Sequence, residues 1–338
     1  HHFPMKSSDR ILVTGAAGFI GSALIWQLNR EGFDNIVVSD ILGTDEKWRN
    51  LVPLRFADYI EASNLLASLD SQELRETRYI FHLGACSATT ETNASYLMEN
   101  NFNFTKRLAR WSIAGNRRFV YASSAATYGD GSLGMEDGFD HIESLRPLNM
   151  YGYSKHIFDL HAKREGWFER QDGIVGLKYF NVFGPNEDHK GEMRSIVHKA
   201  YAQVRDEKKV RLFKSHHPDY RDGEQRRDFV YVKDAVKMTL HLARSGRSGL
   251  FNVGTGQAST WIDLVTPIFD ALGIPPDIQF IDMPNVLRGK YQYHTCAKTD
   301  RLKETGWIGD THSLRSAVSD YVSNYLVPDH RLGQIEGK

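Results

Sequence analysis

The sequence has little cysteine, no excess of charge and no long apolar run, and each shortage excludes a class of protein. Only two of its 338 residues are cysteines, Cys86 and Cys296, too few for a disulfide-stapled scaffold. Lys plus Arg and Asp plus Glu both number 42, so net charge favours neither nucleic acid nor an anionic membrane. No apolar run approaches the roughly 20 residues that span a bilayer. These features predict a soluble protein of a reducing, cytoplasmic compartment.

The two ends of the chain are expected to lie outside the fold. Residues 1–4, His-His-Phe-Pro, precede Met5 and resemble a purification-tag remnant, and no signal-peptide pattern follows them. Residues 330–338 are predicted to form a flexible tail.

Strand-like and helix-like segments alternate through the first half of the chain. The apolar run at 10–14 and the run at 36–40 predict strands, and helical spacing at 19–29 between them completes a βαβ unit. Further strands are expected at 79–83, 118–123 and 173–179, with helices at 95–115 and 151–165. This alternation predicts an α/β fold, a Rossmann doubly wound parallel sheet with both faces covered.

The pattern changes after residue 184 and returns later. A charged amphipathic helix is predicted at 189–209 and a polar loop at 215–227; returning strands follow at 229–232 and 250–253. A helix, a β-run at 278–281 and a final helix come last. We therefore expect an NAD(P)-binding Rossmann domain from 6–184 and 228–256, and a smaller, discontinuous α/β substrate-binding lobe from 185–227 and 257–327.

A glycine loop, Gly15-x-x-Gly18-x-x-Gly21, follows the first strand. Gly15 suits a tight turn, Gly18 lets the backbone approach a pyrophosphate, and Gly21 lets the next helix pack closely. The helix N-terminus then offers free N–H groups to the phosphates. Asp40 closes the second strand about 20 residues later, where an acid bonds the ribose hydroxyls and favours NAD. Lys47 and Arg49 follow closely and are expected to offset that charge toward a 2′-phosphate, so the choice between NAD and NADP stays open.

Tyr151 and Lys155 are the candidates for proton transfer. At positions i and i+4 of a helix they share one face, and a nearby ammonium is expected to lower the pKa of the tyrosine from its reference near 10. Tyr151 is then a proton shuttle for an alcohol–ketone interconversion. Ser124 follows a predicted strand, and since ligands lie at the carboxyl ends of such strands, it is expected to hold a substrate oxygen beside Tyr151.

The glycine loop, Ser124 and the Tyr151/Lys155 pair resemble the extended short-chain dehydrogenase/reductase family of nucleotide-sugar epimerases, dehydratases and reductases. More narrowly, six strings between about residues 10 and 325 are similar to the ADP-L-glycero-D-manno-heptose 6-epimerases within it. They are Gly84-Ala85-Cys86-Ser87, Ser123-Ser124-Ala125-Ala126-Thr127-Tyr128-Gly129, Asn149-Met150-Tyr151-Gly152-Tyr153-Ser154-Lys155, Tyr179-Phe180-Asn181-Val182-Phe183-Gly184-Pro185, His189-Lys190-Gly191 and Arg227-Asp228-Phe229-Val230-Tyr231-Val232. The string His189-Lys190-Gly191 is the most diagnostic of the six.

The resemblance implies an activity and its machinery. ADP-D-glycero-D-manno-heptose is epimerised at C6″ through a 6″-ketone with tightly bound NADP, in lipopolysaccharide inner-core biosynthesis. Because C6″ is not acidified by a carbonyl, transient oxidation replaces direct proton removal. Tyr151 and Lys190 are implied as two acid/bases, with Lys155 on the nicotinamide ribose. A homo-oligomer, typically a pentamer, is also implied.

The resemblance also implies contact residues, carried over position by position. For the cofactor they are Gly15, Gly18, Phe19, Ile20, Gly21, Asp40, Ile41, Lys47, Leu83, Gly84, Ala85, Cys86, Ser87, Asn100, Lys155, Val182 and Lys190. For the substrate they are Ser124, Asn181, Glu192, Lys199, Phe213, Lys214, Ser215, His216, Arg227 and Tyr291. Two departures from the family pattern put contacts in doubt: the loop at 215–226 is longer than expected, and Ala62 stands where a lysine is expected.

Other functions fit these residues less well. A UDP-hexose 4-epimerase shares the Tyr/Lys pair but has no need of Lys190. A non-catalytic NADP sensor would be free to lose Tyr151 or Lys155, and both are present. Dehydration is disfavoured because Ala125-Ala126 follows Ser124 where an acidic pair would expel water. The histidines and the two distant cysteines show no metal-ligand spacing, so no metal is expected.

Overall fold

The structure is a computed structural model that describes residues 4–86 and 89–334. Its strands are β1 (Arg10–Thr14), β2 (Ile36–Asp40), β3 (Asp58–Glu61), β4 (Thr77–His82), β5 (Arg118–Ala122), β6 (Ile174–Tyr179), β7 (Asn181–Phe183), β8 (Val210–Phe213), β9 (Arg226–Arg227), β10 (Phe229–Tyr231), β11 (Gly249–Val253), β12 (Ser259–Thr260) and β13 (Ile278–Ile281). Its α-helices are α1 (Phe19–Arg30), α2 (Ala62–Leu65), α3 (Ala94–Leu97), α4 (Phe104–Ala114), α5 (Met150–Arg164), α6 (Ile196–Glu207), α7 (Val232–Arg244), α8 (Trp261–Leu272), α9 (Asn285–Arg288), α10 (Asp300–Glu304) and α11 (Leu314–Tyr321).

Seven strands form a central sheet in the order β11-β6-β5-β4-β1-β2-β3, and every neighbouring pair in it is parallel. Alternate residues of a strand face opposite sides, so Ile11 joins one buried cluster with Leu24 of α1 while Leu12 joins the other with Leu108 of α4. Both faces are therefore covered, as parallel sheets require. The predicted doubly wound α/β fold is confirmed.

The sheet order brings several loops to one edge. The parallel strands β1, β2, β4, β5 and β6 all end there, so the residues that follow them share the carboxyl edge of the sheet. Outside the sheet, β8 pairs with β13 and β9 with β12, joining segments from 210–227 and 259–281. β11 returns to the sheet beside β6. The domain boundaries given above stay a prediction.

The single helix predicted at 189–209 is wrong. Residues Asp188–Met193 form a 3₁₀ turn, and α6 begins only at Ile196. Gly191 explains the break, because its φ of 57° and ψ of −127° do not continue a helix. Ser195 then caps α6 by accepting the His198 N–H at 3.3 Å.

The flexible tail predicted from residue 330 is also wrong for its described part. Leu332 is fully buried, Arg331 is nearly so, and the Leu332 N–H donates to Asn186 Oδ1 at 3.1 Å. The apolar leucine fills the main core, which a polar composition around it did not reveal. Residues 335–338 lie outside the described residues.

The helix expected at 95–115 exists but is not uniform. One turn of π-helix, Met98–Asn103, lies between α3 and α4. Such π turns are frequent near functional sites, and this one carries Asn100 and Asn101. None of the helices within residues 4–86 and 89–334 is long and apolar enough to cross a bilayer.

Candidate active site

The glycine loop forms a tight cradle between β1 and α1. Gly15 has a φ of +63°, and a Cβ there would lie 2.6 Å from the backbone nitrogen of Gly84. A Cβ on Gly21 would lie 2.1 Å from Gly15 O, so only glycine lets α1 start against the turn. Gly18 is the N-cap of α1; within the described residues no side chain caps it, and the first turn of α1 has no acid. The cradle therefore fits a pyrophosphate held at a helix N-terminus.

Asp40 stands beside this cradle at the end of β2. Its Oδ2 accepts the Ala17 N–H at 2.8 Å, and its Oδ1 accepts the Ile41 N–H at 2.7 Å. The same Oδ1 forms an ion pair with Lys47 Nζ at 2.8 Å. The carboxylate thus orders the glycine loop while Lys47 neutralises it.

One cavity of about 500 Å³ joins the glycine loop to the carboxyl ends of β4 and β5. Most of the predicted cofactor residues line it: Gly15, Gly18, Phe19, Ile20, Gly21, Asp40, Lys47, Leu83, Gly84, Ala85, Cys86, Lys155, Val182 and Lys190. Ile41 and Asn100 line an adjoining cavity of about 360 Å³ that shares Asp40 and Lys47 with the first. Ser87 lies outside the described residues. The two cavities together fit a dinucleotide.

The catalytic candidates meet where β5 ends and α5 begins. Asn149 caps α5 by accepting the Gly152 N–H at 2.7 Å, which sets Tyr151 in the first turn. Ser124 accepts the Ala126 N–H at 3.0 Å and is hydrogen-bonded to Tyr151. Tyr151, Ser124 and Lys155 line the cofactor cavity together.

The prediction that Lys155 lowers the pKa of Tyr151 is wrong. Burial raises the pKa of Tyr151, against the lowering effect of its hydrogen bond with Ser124, and a nearby Cys86 raises it further. The Lys155 ammonium instead donates to Ala122 O at 2.7 Å. Tyr151 is therefore a neutral phenol, ready to donate a proton.

Lys190 lies across the same cavity, in the 3₁₀ turn before α6. Its Nζ stands over the Phe19 ring, 5.4 Å from the ring centre. Burial lowers the pKa of Lys190, and the charge of Glu187 partly offsets this effect. The lowered pKa makes the ammonium of Lys190 a stronger proton donor than that of a solvent-exposed lysine.

A further cavity of about 610 Å³ opens beside Tyr151 and shares Ser124, Tyr179 and Phe180 with the cofactor cavity. Of the predicted substrate residues, Ser124, Asn181, Arg227 and Tyr291 line it. The Arg227 guanidinium stacks on the Tyr291 ring at 4.9 Å from its centre, which holds the charge at the wall. We call this space the substrate cavity.

The structure does not bring the other predicted substrate residues to the walls of the substrate cavity: Glu192, Lys199, Phe213, Lys214, Ser215 and His216. Lys199 faces the exposed Glu192 at 3.9 Å, and Lys214 faces Asp282 at 3.5 Å. The His216 N–H donates to Tyr293 at 3.1 Å. Their contact with substrate stays a prediction.

Comparison with known proteins places this site in a family. The model of the NAD dependent epimerase/dehydratase family matches residues 11–254. The chain belongs to that family. It is 52% identical to the ADP-L-glycero-D-manno-heptose-6-epimerase of Nitratidesulfovibrio vulgaris strain DP4 over 93% of this chain and 97% of that one. It is 44% identical to the protein of the same name from Fusobacterium nucleatum subsp. nucleatum, over 94% and 98%.

A solved structure agrees with these relatives. The Helicobacter pylori ADP-L-glycero-D-manno-heptose-6-epimerase superposes with a TM-score of 0.77 at 27% identity, covering 95% of this chain and 99% of that one. The predicted family membership is confirmed, and the chain is an epimerase, an isomerase by class. A nicotinamide dinucleotide is accordingly the cofactor that the glycine cradle serves.

Sequence reasoning missed several walls of the epimerase site. Tyr179 and Phe180 line both the cofactor and the substrate cavity, and both stand in a string already matched to the family. Thr90, Lys290 and Gln292 line the substrate cavity without any motif of their own. Further wall residues of the two cavities are Thr89, Ala122, Ser123, His189 and Met193. Ser123 and His189 also stand in strings matched to the family, whereas Thr89, Ala122 and Met193 are revealed by the meeting of distant segments in the fold.

Lys155 of the epimerase is expected to lose its positive charge near pH 8. Burial lowers its pKa from 10.5 to about 8, against the opposing charges of Asp159 and Cys86. Because the folded pKa is below the unfolded value, the ammonium destabilises the fold below about pH 8, and stability recovers as the pH rises from there toward 10.5. NMR of protein labelled with ¹³C at lysine Cε should show one signal titrating near pH 8 that Lys155→Met removes. A Lys155 signal that titrates only above about pH 10 contradicts this assignment.

Proposed function

We propose that this epimerase interconverts ADP-D-glycero-D-manno-heptose and ADP-L-glycero-D-manno-heptose by inversion at C6″ through a 6″-keto intermediate, for the inner core of lipopolysaccharide. One observation carries the proposal: two proton-transfer candidates, Tyr151 and Lys190, line the same cavity from different segments. The relatives that match nearly the whole chain carry the corresponding name.

The chemistry asks for two such groups. The C6″ proton is not acidic, so direct deprotonation is prohibitive. Oxidation of the 6″-hydroxyl to a ketone instead makes C6″ trigonal, so that a hydride can return to either face and invert the centre. A nicotinamide held by the glycine cradle and Lys155 would supply the reversible redox chemistry for this transient oxidation. The two epimeric hydroxyls point in different directions, and one acid/base is poorly placed for both. Tyr151 would serve one hydroxyl and Lys190 the other.

The substrate cavity supplies recognition on the far side of Tyr151. Arg227 is nine-tenths buried against Tyr291 and Trp261, and its planar fork suits a diphosphate. Lys290 adds a second cation on the same cavity wall. These charges would hold the ADP part while Ser124 and Tyr151 meet the sugar.

Epimerisation without net cofactor consumption tests the proposal. Purified protein is incubated with ADP-D-glycero-D-manno-heptose, and the two epimers are separated chromatographically. Formation of the L epimer, with UDP-galactose untouched, is the expected result. An unchanged ADP-heptose beside converted UDP-galactose would overturn the assignment in favour of a UDP-hexose 4-epimerase.

NADP is proposed as the cofactor in preference to NAD. The support is the Lys47–Asp40 ion pair at 2.8 Å, because Lys47 cancels the carboxylate that would otherwise repel a 2′-phosphate. Lys47→Ala leaves Asp40 uncompensated, so the Kd of NADP should rise about tenfold or more while that of NAD changes little.

Calorimetric titration of cofactor-stripped protein measures both constants. Arg49→Ala is the matched control, since Arg49 lies in the same 3₁₀ turn but pairs with Glu46 at the surface. An equal loss of affinity for both cofactors in Lys47→Ala would contradict NADP selection by this lysine.

A further inference from the structure

The segment that carries Lys190 is a loop closed at its base. The buried Glu187 carboxylate accepts the N–H of Ser195 and, at 2.8 Å, the Ser195 hydroxyl, so it ties the two ends of the loop together. It also accepts the Tyr321 hydroxyl at 3.0 Å. The Lys190 N–H donates back to Glu187 O at 3.0 Å. We call residues 187–195 the lysine loop.

Asn186 precedes this loop in an unusual conformation. Its φ is +80°, in the left-handed region that few side chains occupy without local compensation, and it is fully buried. Its amide is used from both ends: Nδ2 donates to Ser22 Oγ at 2.9 Å, and Oδ1 accepts the Leu332 N–H at 3.1 Å. Its carbonyl accepts Asn50 Nδ2 at 3.2 Å.

The partners of Asn186 also hold the glycine cradle. Ser22 Oγ donates to Gly18 O at 2.6 Å, and Asn50 Nδ2 donates to Ala17 O at 2.9 Å. One buried amide therefore joins the start of the lysine loop to the wall that receives the pyrophosphate.

The chain end completes the arrangement. Residues 327–334, which we call the C-terminal segment, place Leu332 in the core and Gly333 against Pro53, where a Cβ would meet Pro53 Cβ at 3.0 Å. The charge of Arg331 acts on Asp188 and contributes to the lowered pKa of that carboxyl. The C-terminal segment thus lies between the turn after β2 and the lysine loop.

We propose that Asn186, held by Ser22 and by the C-terminal segment, is a positioning residue that fixes the lysine loop and so aims Lys190 at the sugar. The inference rests on the proposed function, in which Lys190 exchanges a proton with substrate. Asn186 touches neither substrate nor cofactor cavity among the walls described above. Its effect is transmitted through backbone placement, and displacements of about 1 Å at a reacting group lower rates about a hundredfold.

Asn186→Gly tests the role, because glycine keeps the positive φ and removes only the amide. Its kcat is expected to fall about ten- to a hundredfold, while the KM for ADP-heptose stays within about threefold and the cofactor stays bound. Hydrogen exchange of the backbone in 187–195 is expected to accelerate. Asn116→Gly is the control, since Asn116 also has a positive φ, 51°, but is exposed in a turn after α4. A wild-type kcat in Asn186→Gly overturns the proposal.

Two truncations address the C-terminal segment separately. Ending the chain after Gln334 keeps Arg331, Leu332 and Gly333 in place and is the control, with kcat and exchange expected at the wild-type values. Ending it after Asp329 should reproduce the Asn186→Gly exchange pattern; unchanged exchange in 187–195 contradicts the role of the segment. If that shorter protein does not fold, Leu332→Ala in the full chain replaces it, since Leu332 anchors the segment in the core and its N–H donates to the Asn186 amide.

Lys190→Ala in the same assay keeps the two claims apart. A fully active Lys190→Ala contradicts the proposed function whatever Asn186→Gly does. An inactive Lys190→Ala beside a fully active Asn186→Gly contradicts only the positioning role.

Discussion

Replacing Lys190 by alanine is expected to lower the kcat of epimerisation about a thousandfold while the cofactor stays bound. A positioned proton-transfer group contributes about 10²- to 10⁴-fold, and Lys190 lines the cofactor cavity together with Tyr151. Cofactor binding should persist because the glycine cradle, Lys47 and Lys155 are unchanged. Burial also lowers the pKa of Lys190, which makes its ammonium a stronger acid than that of a solvent-exposed lysine.

Chromatography of the two epimers measures the rate, and the absorbance of the nicotinamide in purified protein measures retention. Lys237→Ala is the matched control, because Lys237 is an exposed lysine on α7 away from both cavities. A Lys190→Ala variant with wild-type kcat would remove the second acid/base, and with it the physical reason for preferring a heptose over a 4-epimerisable hexose.

Much of the fold was predictable from the sequence, because the patterns that indicate it involve residues close together in the chain. The β1–α1–β2 unit follows from a short apolar run, three glycines and a helical period, and the structure places those elements within a residue or two of their expected bounds. The glycine loop and Asp40 were predictable for the same reason, whereas the other cofactor walls were carried over from the resemblance to the family. The helix at 189–209 failed because one glycine with a positive φ outweighs the amphipathic pattern around it.

The misses share a different cause, namely contacts between segments distant in sequence. The Lys155 ammonium donates its hydrogen bond to Ala122 O, which is thirty-three positions away in the sequence, and not to the tyrosine one turn before it. The N–H of Leu332 is held by a hydrogen bond to Asn186, from which it is separated by 146 positions. Neither partner can be read from periodicity, because burial and backbone position decide both.

Burial links the two catalytic candidates physically. It raises the pKa of Tyr151, which favours the neutral phenol, and lowers the pKa of Lys190, which favours the neutral amine. One cavity thus holds two groups whose pKa values burial shifts in opposite directions. In the proposed mechanism, the hydroxyl of one epimer would lose its proton to one group, and the other group would protonate the oxygen of the opposite epimer.

Tyr151→Phe is expected to lower kcat about a thousandfold in both directions of epimerisation. The two values of kcat/KM fall by the same factor, because a catalyst cannot change the equilibrium between the two sugars. Tyr153→Phe is the control: Tyr153 lies two residues further on α5 and is 44% exposed, so its hydroxyl reaches neither cavity. Initial rates from each pure epimer, together with thermal unfolding of each variant, measure the effect.

The lost hydrogen bond to Ser124 costs about 1 kcal/mol of stability, whereas a thousandfold loss of rate corresponds to about 4 kcal/mol. A Tyr151→Phe variant that keeps more than about a tenth of the wild-type kcat would therefore show that this hydroxyl is structural, and that Lys190 or another group carries both proton transfers.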